Sequence, residues 1–351
     1  LKVLITGGAG YIGSTIGSAL LDRGITPVVL DNLTTGSAEF TRGRTFYRGD
    51  IADPALLDRV FAEHPDIHAT VHCAALTVVP ESVAHPLRCY EENVAKSVEL
   101  LRNLIRNGCG RLLFSSSASI YQPGEDFSVD ETSPVRPTSP YARSKAMIEQ
   151  VLADAAAGGE VTALSLRYFN PVGADPRLRS GCQQPNPSHV LGKLISAWER
   201  GGTFQLTGVD WPTPDGTGIR DYIHVWDLAR AHVHALLRFD EAVSASQEPG
   251  YQVVNLGTGR PTTVRELVRT FTAVAGTPLA TEEVAARPGD TVGAYTRTER
   301  ARRLLGWRCE HTLADAIRDA LRWRARWHGR HNPRAGQPLL AEAVSPAGEA
   351  P

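Results

Sequence analysis

Tyr141 and Lys145 stand four positions apart in "SPYARSK". On a helix, that spacing brings both side chains to one face, a turn apart. A free tyrosine ionises near pH ~10 and is a poor base at neutrality. An ammonium group beside it favours the phenolate and can also hold a sugar hydroxyl. The chain has only four lysines (Lys2, Lys96, Lys145 and Lys193), so this pairing is less easily met by accident. The competing reading is an exposed aromatic beside a solvated charge. Ser115, Ser116 and Ser117 close the apolar run "RLLFSSS". Hydroxyls there either bond to local backbone or orient a reacting hydroxyl beside Tyr141.

Residues 3–14 read "VLITGGAGYIGS", with glycines at Gly7, Gly10 and Gly13. A β-branched run precedes them and a helix-like stretch follows. A strand, a glycine turn and a helix N-terminus together present free N–H groups to a pyrophosphate. The bland alternative is a tight turn with no ligand. Asp31 ends "TPVVLD", eighteen positions after Gly13. A carboxylate at that distance accepts bonds from ribose hydroxyls and repels a 2′-phosphate, which favours NAD over NADP; otherwise it caps a turn with Asn32. Asp50 and Ile51, after a third short strand, suit the edge and face of an adenine.

These groups need a scaffold. The runs "KVLIT", "TPVVLD", "RTFYRGD", "ATVHCAA", "RLLFSSS" and "VTALSLRYFN" read as strands, with amphipathic stretches such as "DPALLDRVFAEH" and "ENVAKSVELLRNLIRNG" between them. That alternation predicts an α/β fold, a Rossmann-type doubly wound parallel sheet with its site beyond the carboxyl ends of the strands. Past residue 170, "GADPRLRSGCQQPNPSH" and "GVDWPTPDGTGIRD" are long loops, of the kind that usually carry function. The expected organisation is a cofactor domain over 1–170, to which 221–258 returns through "YQVVNLG". A smaller, loop-rich substrate domain is expected over 171–220 and 259–335, with a disordered tail over 336–351. There are no internal repeats.

Composition narrows the function classes. A net charge of −1 over 351 residues gives no footprint for nucleic acid or an anionic membrane. No apolar run approaches the ~20 residues of a membrane span, and the first strand begins at residue 2, leaving no room for a signal peptide in the sequence given. Five cysteines without a C-x-x-C pair point to a reducing cytoplasm and away from a structural metal. No histidine motif has metal-ligand spacing.

"TGGAGYIG", "FSSSASIY", "SPYARSK", "RYFNPVGA" and "DGTGIRDYIHVWDLARAH" occur in that order. Together they resemble the extended short-chain dehydrogenase/reductase superfamily, and within it the UDP-galactose (UDP-glucose) 4-epimerase family, from residue 1 to about 330. The resemblance implies an enzyme that keeps NAD bound, inverts C4 of a UDP-hexose through a 4-keto sugar, and forms a homodimer through helices near residues 90–107 and 139–157. It makes Tyr141 the base, Lys145 its electrostatic partner and ribose anchor, and Ser117 the hydroxyl's partner. It assigns Gly7, Gly10, Tyr11, Ile12, Gly13, Asp31, Asn32, Asp50, Ile51 and Asn93 to NAD. It assigns Asn170, His189, Val190, Thr207, Arg220, Arg287 and Asp290 to the UDP-sugar. Ala294 falls where the pocket meets the sugar C2 substituent, implying room for an N-acetyl group and so for UDP-GlcNAc and UDP-GalNAc.

The chain also departs from that family. Thr77 replaces a lysine near the nicotinamide, "SHV" replaces "NNL" with His189 and Val190 on the uracil side, and Thr207 replaces a stacking aromatic. A 4,6-dehydratase on the same fold would carry Asp-Glu after the strand end, where this chain has Ala118 and Ser119; a decarboxylase of UDP-glucuronate would carry a glutamate at Ser119. An epimerase for another sugar nucleotide fits the same motifs. A non-catalytic NAD-binding sensor is disfavoured by the retention of both Tyr141 and Lys145.

Overall fold

Short apolar runs with little polar alternation suit a sheet covered on both faces. In the computed structural model, residues 1–286 and 291–331 are described. A seven-stranded sheet contains β1 (Lys2–Thr6), β2 (Thr26–Asp31), β3 (Thr45–Arg48), β4 (Ile67–His72), β5 (Arg111–Ser117), β6 (Thr162–Tyr168) and β7 (Tyr251–Leu256). The spatial order is β7-β6-β5-β4-β1-β2-β3, and every neighbouring pair is parallel. The chain winds outward from β1 to β3, then returns to the other side of β1 with β4. Such a reversal opens a crevice at the strand ends.

Alternate residues of the central strands feed two cores. Val3, Ile5, Val71, Leu113 and Leu164 pack on one face with Ile16 and Leu20 of helix α1 (Tyr11–Leu21). Leu4, Val28, Leu30 and Phe114 pack on the other with helices α2 (Pro54–Glu63), α3 (Lys96–Arg106) and α4 (Pro140–Ala157). Local chemistry fixes where the helices begin. Asp53 accepts from the N–H groups of Ala55 and Leu56 at the start of α2. Ser139 accepts from Ala142 N–H at 3.1 Å, with Pro140 opening α4, so Tyr141 falls in the first turn of that helix.

The second half adds smaller sheets and a third core. The strand Asn170–Val172 pairs with Tyr222–His224, and Thr203–Thr207 pairs with Ala280–Val284. A four-stranded sheet joins Thr262–Thr263, Ile219–Arg220, Gly293–Thr296 and Ser128–Val129. Around them pack helices α5 (Val190–Glu199), α7 (Val264–Ala275) and α8 (Leu313–His331), with Leu191, Leu194, Phe271 and Ile317 buried, while α6 (Val225–Leu237) adds Leu228 and Val233 to the first core with α1. No helix among the described residues is long and apolar enough to cross a membrane.

Two strands differ from the sequence expectation. "ATVHCAA" forms a strand that starts at Ile67 and stops at His72, and residues 73–75 leave the sheet. Gly7 explains the departure, because Ala74 packs so closely on it that a Cβ there would lie 2.7 Å from Ala74 N. "VTALSLRYFN" breaks at Phe169, and Asn170 goes to a different sheet, donating its N–H to the Asp221 carbonyl at 3.0 Å.

Candidate active site

The strand ends open into a cleft of about 1180 Å³. At one end, Gly7 takes the left-handed conformation (φ +70°), and a Cβ at Gly13 would lie 2.3 Å from the Gly7 carbonyl oxygen. Side chains at these positions would push the loop off α1 and close the approach a pyrophosphate needs. No side chain caps α1 at Gly10, and its first helical bond runs from Ser14 N–H to the Gly10 carbonyl. The N–H groups ahead of that bond are those a helix offers an anion. Gly7, Gly10, Tyr11, Ile12 and Gly13 all line the cleft.

Asp31 is buried at the end of β2. Its two oxygens accept from Ala9 N–H at 3.0 Å and Leu33 N–H at 2.7 Å, tying the glycine loop to the strand. Burial pushes its carboxyl above the usual range, and those two N–H groups work against the shift. Asn32 lines the cleft and accepts from Thr34 N–H at 2.9 Å. Asp50 and Ile51 also line it, with Asp50 accepting from Lys96 Nζ at 2.7 Å and from Ala52 N–H at 2.9 Å. This cradle of glycines and carboxylates fits an adenine dinucleotide.

Tyr141, Lys145 and Ser117 meet where β5 ends against α4, and all three line the cleft. Burial raises the Tyr141 phenol above its ordinary value, and the Ser117 hydroxyl opposes that by favouring the phenolate. Ser117 caps the turn that follows β5 and shares a hydrogen bond of 2.9 Å with Ser119. Lys145 is 4 % exposed, donates to the Ser115 carbonyl at 2.8 Å and lies over the Phe114 ring. Burial draws its ammonium down to about 8, against the pull of Cys73 and Glu149. A phenol, a cation and a hydroxyl so arranged can take a proton from a sugar hydroxyl.

The far end of the cleft is lined by Asn170, His189, Val190, Thr207 and Arg220. His189 caps α5, its Nδ1 accepting from Gly192 N–H at 3.1 Å. Burial, with Lys193 adding to it, holds His189 down to about 4, so it is neutral at pH 7. Arg220 donates to the carbonyls of Ile219 and Val292 at 2.6 and 2.8 Å and to Thr291 at 3.2 Å.

Two of the expected residues do not line the cleft. Asn93 is buried and uses its amide on Leu76, accepting from its N–H at 2.7 Å and donating to its carbonyl at 2.9 Å. It clamps the cleft-lining loop 73–79. Ala294 sits on its strand opposite Arg220 and packs against Ile120, Tyr121, Val129 and Phe169. Arg287 and Asp290 lie outside the described residues, as does the tail 336–351. Tyr168, Phe169, Lys193, Arg200, Trp211 and Tyr222 line the cleft without having been singled out in the sequence. Phe169 lies inside "RYFNPVGA", where the break between two strands turns it toward the site. Among the described residues no three His, Cys, Asp or Glu side chains gather to hold a metal.

The NAD dependent epimerase/dehydratase family model matches residues 3–257. The UDP-glucose 4-epimerase of Azospirillum brasilense is 42% identical over 318 residues, covering 90% of this chain and 89% of the relative. That of Bacillus subtilis (strain 168) is 39% identical, with 90% and 94% covered. Among solved structures, the UDP-glucose 4-epimerase of Stenotrophomonas maltophila, with bound NAD and formylated UDP-arabinopyranose, superposes with a TM-score of 0.87 at 36% identity, covering 94% of this chain and 99% of that one. The UDP-Glc/GlcNAc 4-epimerase of Campylobacter jejuni gives 0.77 at 34% identity, covering 93% and 99%. With the glycine cradle, the Tyr141–Lys145–Ser117 group and the nucleotide end all on one cleft, this chain belongs to the NAD-dependent epimerase/dehydratase family, among its UDP-glucose 4-epimerases.

Proposed function

We propose that the protein inverts C4 of a UDP-hexose, interconverting UDP-glucose and UDP-galactose, with NAD retained between turnovers. The observation that carries this is the convergence of Tyr141, Ser117 and Lys145 on the same cleft as the Asp31 end and the His189–Arg220 end. Gly7, Gly10, Asp31 and Asp50 would hold NAD, which when bound supplies the hydride acceptor and returns the hydride, so the reaction is redox-neutral. Tyr141 removes the proton from the C4 hydroxyl and later returns one. Burial alone would keep the phenol protonated; the Lys145 ammonium makes proton acceptance feasible. Ser117 shares the C4 oxygen and fixes its direction. Arg220, together with Arg287 and Asp290, is assigned to the UDP moiety, where a planar guanidinium suits a diphosphate. The likeness to the UDP-Glc/GlcNAc 4-epimerase of Campylobacter jejuni supports the acceptance of UDP-GlcNAc and UDP-GalNAc as well, with Ala294 acting on the cleft only through Phe169, against which it packs.

The cofactor half is assigned to 1–170 with 221–258, and the UDP-sugar half to 171–220 and 259–335. A homodimer in the cytoplasm fits the chain. Exposed Val83, Leu87 and Met147 offer an apolar face on α4 and the short helices Val79–Ala84 and Pro86–Tyr90, whereas the exposed residues Glu99, Arg102 and Arg106 of α3 are polar. The deciding experiment mixes the purified protein with UDP-galactose, without added NAD, and follows UDP-glucose. No turnover of any UDP-hexose would sink the proposal, and net loss of water from the sugar would replace it with a dehydratase.

A further inference from the structure

Tyr141, Lys145 and Glu149 follow one another at four-residue steps along α4. The last is too far from the first to touch substrate, roughly 12 Å along the helix axis at 1.5 Å per residue. Yet Glu149 is 6 % exposed and its carboxylate is fully engaged. Ser116 Oγ donates to it at 2.5 Å, and Arg167 donates through Nε at 2.9 and 3.1 Å and through Nη2 at 2.5 Å. Ser116 and Arg167 are register partners on β5 and β6, so one carboxylate joins two strands and a helix. Arg167 in turn donates to the Tyr121 hydroxyl at 2.7 Å, which donates to Asn255 Oδ1 at 2.7 Å on β7.

The residues on either side of Ser116 are both part of the site. The Ser115 carbonyl receives Lys145, and Ser117 lines the cleft beside Tyr141. A buried ion pair is a poor means of stabilising a fold, since desolvation offsets most of its attraction. A buried network whose central carboxylate and guanidinium are hydrogen-bonded does fix the relative placement of the elements it joins, although Asn255 Nδ2 at its far end has no partner.

We propose that Glu149 is a positioning residue for the epimerisation: by clamping Ser116 and Arg167 to α4, it sets the separation of Tyr141 and Lys145 from Ser117. Its charge also supports the Lys145 ammonium, which Cys73, Cys89 and His72 face from the other packed elements. This inference rests on the proposed activity.

Two variants test it in the NAD-containing protein: Glu149→Gln, which keeps an acceptor but removes the charge, and Glu149→Leu with Arg167→Met, which replaces the pair by apolar side chains of similar size. Thermal unfolding and NAD content report folding, and kcat, KM and the pH profile are read with UDP-galactose. Loss of fine positioning should lower kcat about 10–100-fold while KM for the UDP-sugar moves less than about threefold. In Glu149→Gln the alkaline limb of the kcat profile should move to lower pH, because Lys145 loses a negative neighbour. Either folded variant with the wild-type kcat and pH profile overturns the proposal. If Glu149→Gln does not fold, the double variant decides; failure of both to fold assigns the pair to stability alone and overturns it equally. An inactive wild type would instead indict the activity itself.

Discussion

Asp31→Asn probes how the cofactor end chooses its ligand. In the wild type each Asp31 oxygen holds one main-chain N–H, from Ala9 and from Leu33, and each keeps a lone pair for a ribose hydroxyl. An asparagine has one carbonyl oxygen and one NH₂ group. Whichever way the amide turns, one of those two N–H groups meets a donor. A buried polar group left unpaired costs about 1–3 kcal/mol, and a hydrogen bond to a charged acceptor contributes about 1.5–3 kcal/mol. Together these come to about 2.5–6 kcal/mol, and because neighbouring losses do not add, the lower part of that range is the fair expectation. Those two main-chain bonds exist before NAD binds, so their loss falls on loop stability. Affinity falls by the charged acceptor the ribose hydroxyls lose, about 1.5–3 kcal/mol, and at 1.4 kcal/mol per factor of ten NAD should bind about 10–100-fold more weakly. NADP responds differently. In the wild type its 2′-phosphate meets a buried carboxylate, a repulsion of about 4 kcal/mol for unit charges 4 Å apart at an effective dielectric of 20. Removing the charge relieves that repulsion while imposing the same loop penalty, so NADP affinity should stay level or rise. Calorimetric titration of NAD and NADP into both proteins gives the ratio of dissociation constants. Wild-type protein that binds both dinucleotides alike, or an Asn variant whose ratio is unchanged, would refute the assignment of Asp31.

Tyr141→Phe should cut kcat by about 10²–10⁴-fold, with NAD content and UDP affinity retained; near-normal turnover would remove Tyr141 from the mechanism. Lys145 is charged below its value of about 8 and loses the proton as pH rises through it, so kcat measured from pH 6 to 10 should fall on the alkaline side; an unchanged rate across that limb would show that the ammonium is not needed. Ala294→Tyr adds a phenol beside Phe169, which lines the cleft, and overpacking of about 1–3 kcal/mol should lower kcat/KM for UDP-GalNAc far more than for UDP-galactose. A wild type that turns over UDP-galactose but not UDP-GalNAc would refute the reading of Ala294.

The strands, the glycine loop and the Tyr141–Lys145 pair were legible in the sequence because each is a local pattern: a run of apolar residues, a turn and a helix start, a four-residue step. Asn93 was not legible, because its partner Leu76 lies in an irregular loop 17 positions away. The break at Phe169 was equally hidden. Tyr168 and Asn170 both suit strands, and only the pairing of Asn170 with Tyr222 sends them to different sheets. The clamp at Glu149 depends on the β5–β6 register, which pairs Ser116 with Arg167 across 51 positions. No periodicity within one segment carries that information.

The order in which the main sheet is completed matters when the chain is made. β6 pairs with β5 on one side and with β7 on the other, and β7 ends at Leu256, 88 residues (256 − 168) beyond the end of β6. At a synthesis rate of about 5–20 residues per second, that gap lasts roughly 4–18 s. Throughout it, the N–H and carbonyl groups of β6 that β7 will satisfy remain unpaired beside apolar Ala163, Leu164 and Leu166. An open apolar strand edge is a template for pairing with another nascent chain. The ribosome-bound protein is therefore most prone to aggregate after the Tyr141–Lys145 helix has formed and before β7 emerges, and slower initiation or chaperone cover in that window should raise the soluble yield.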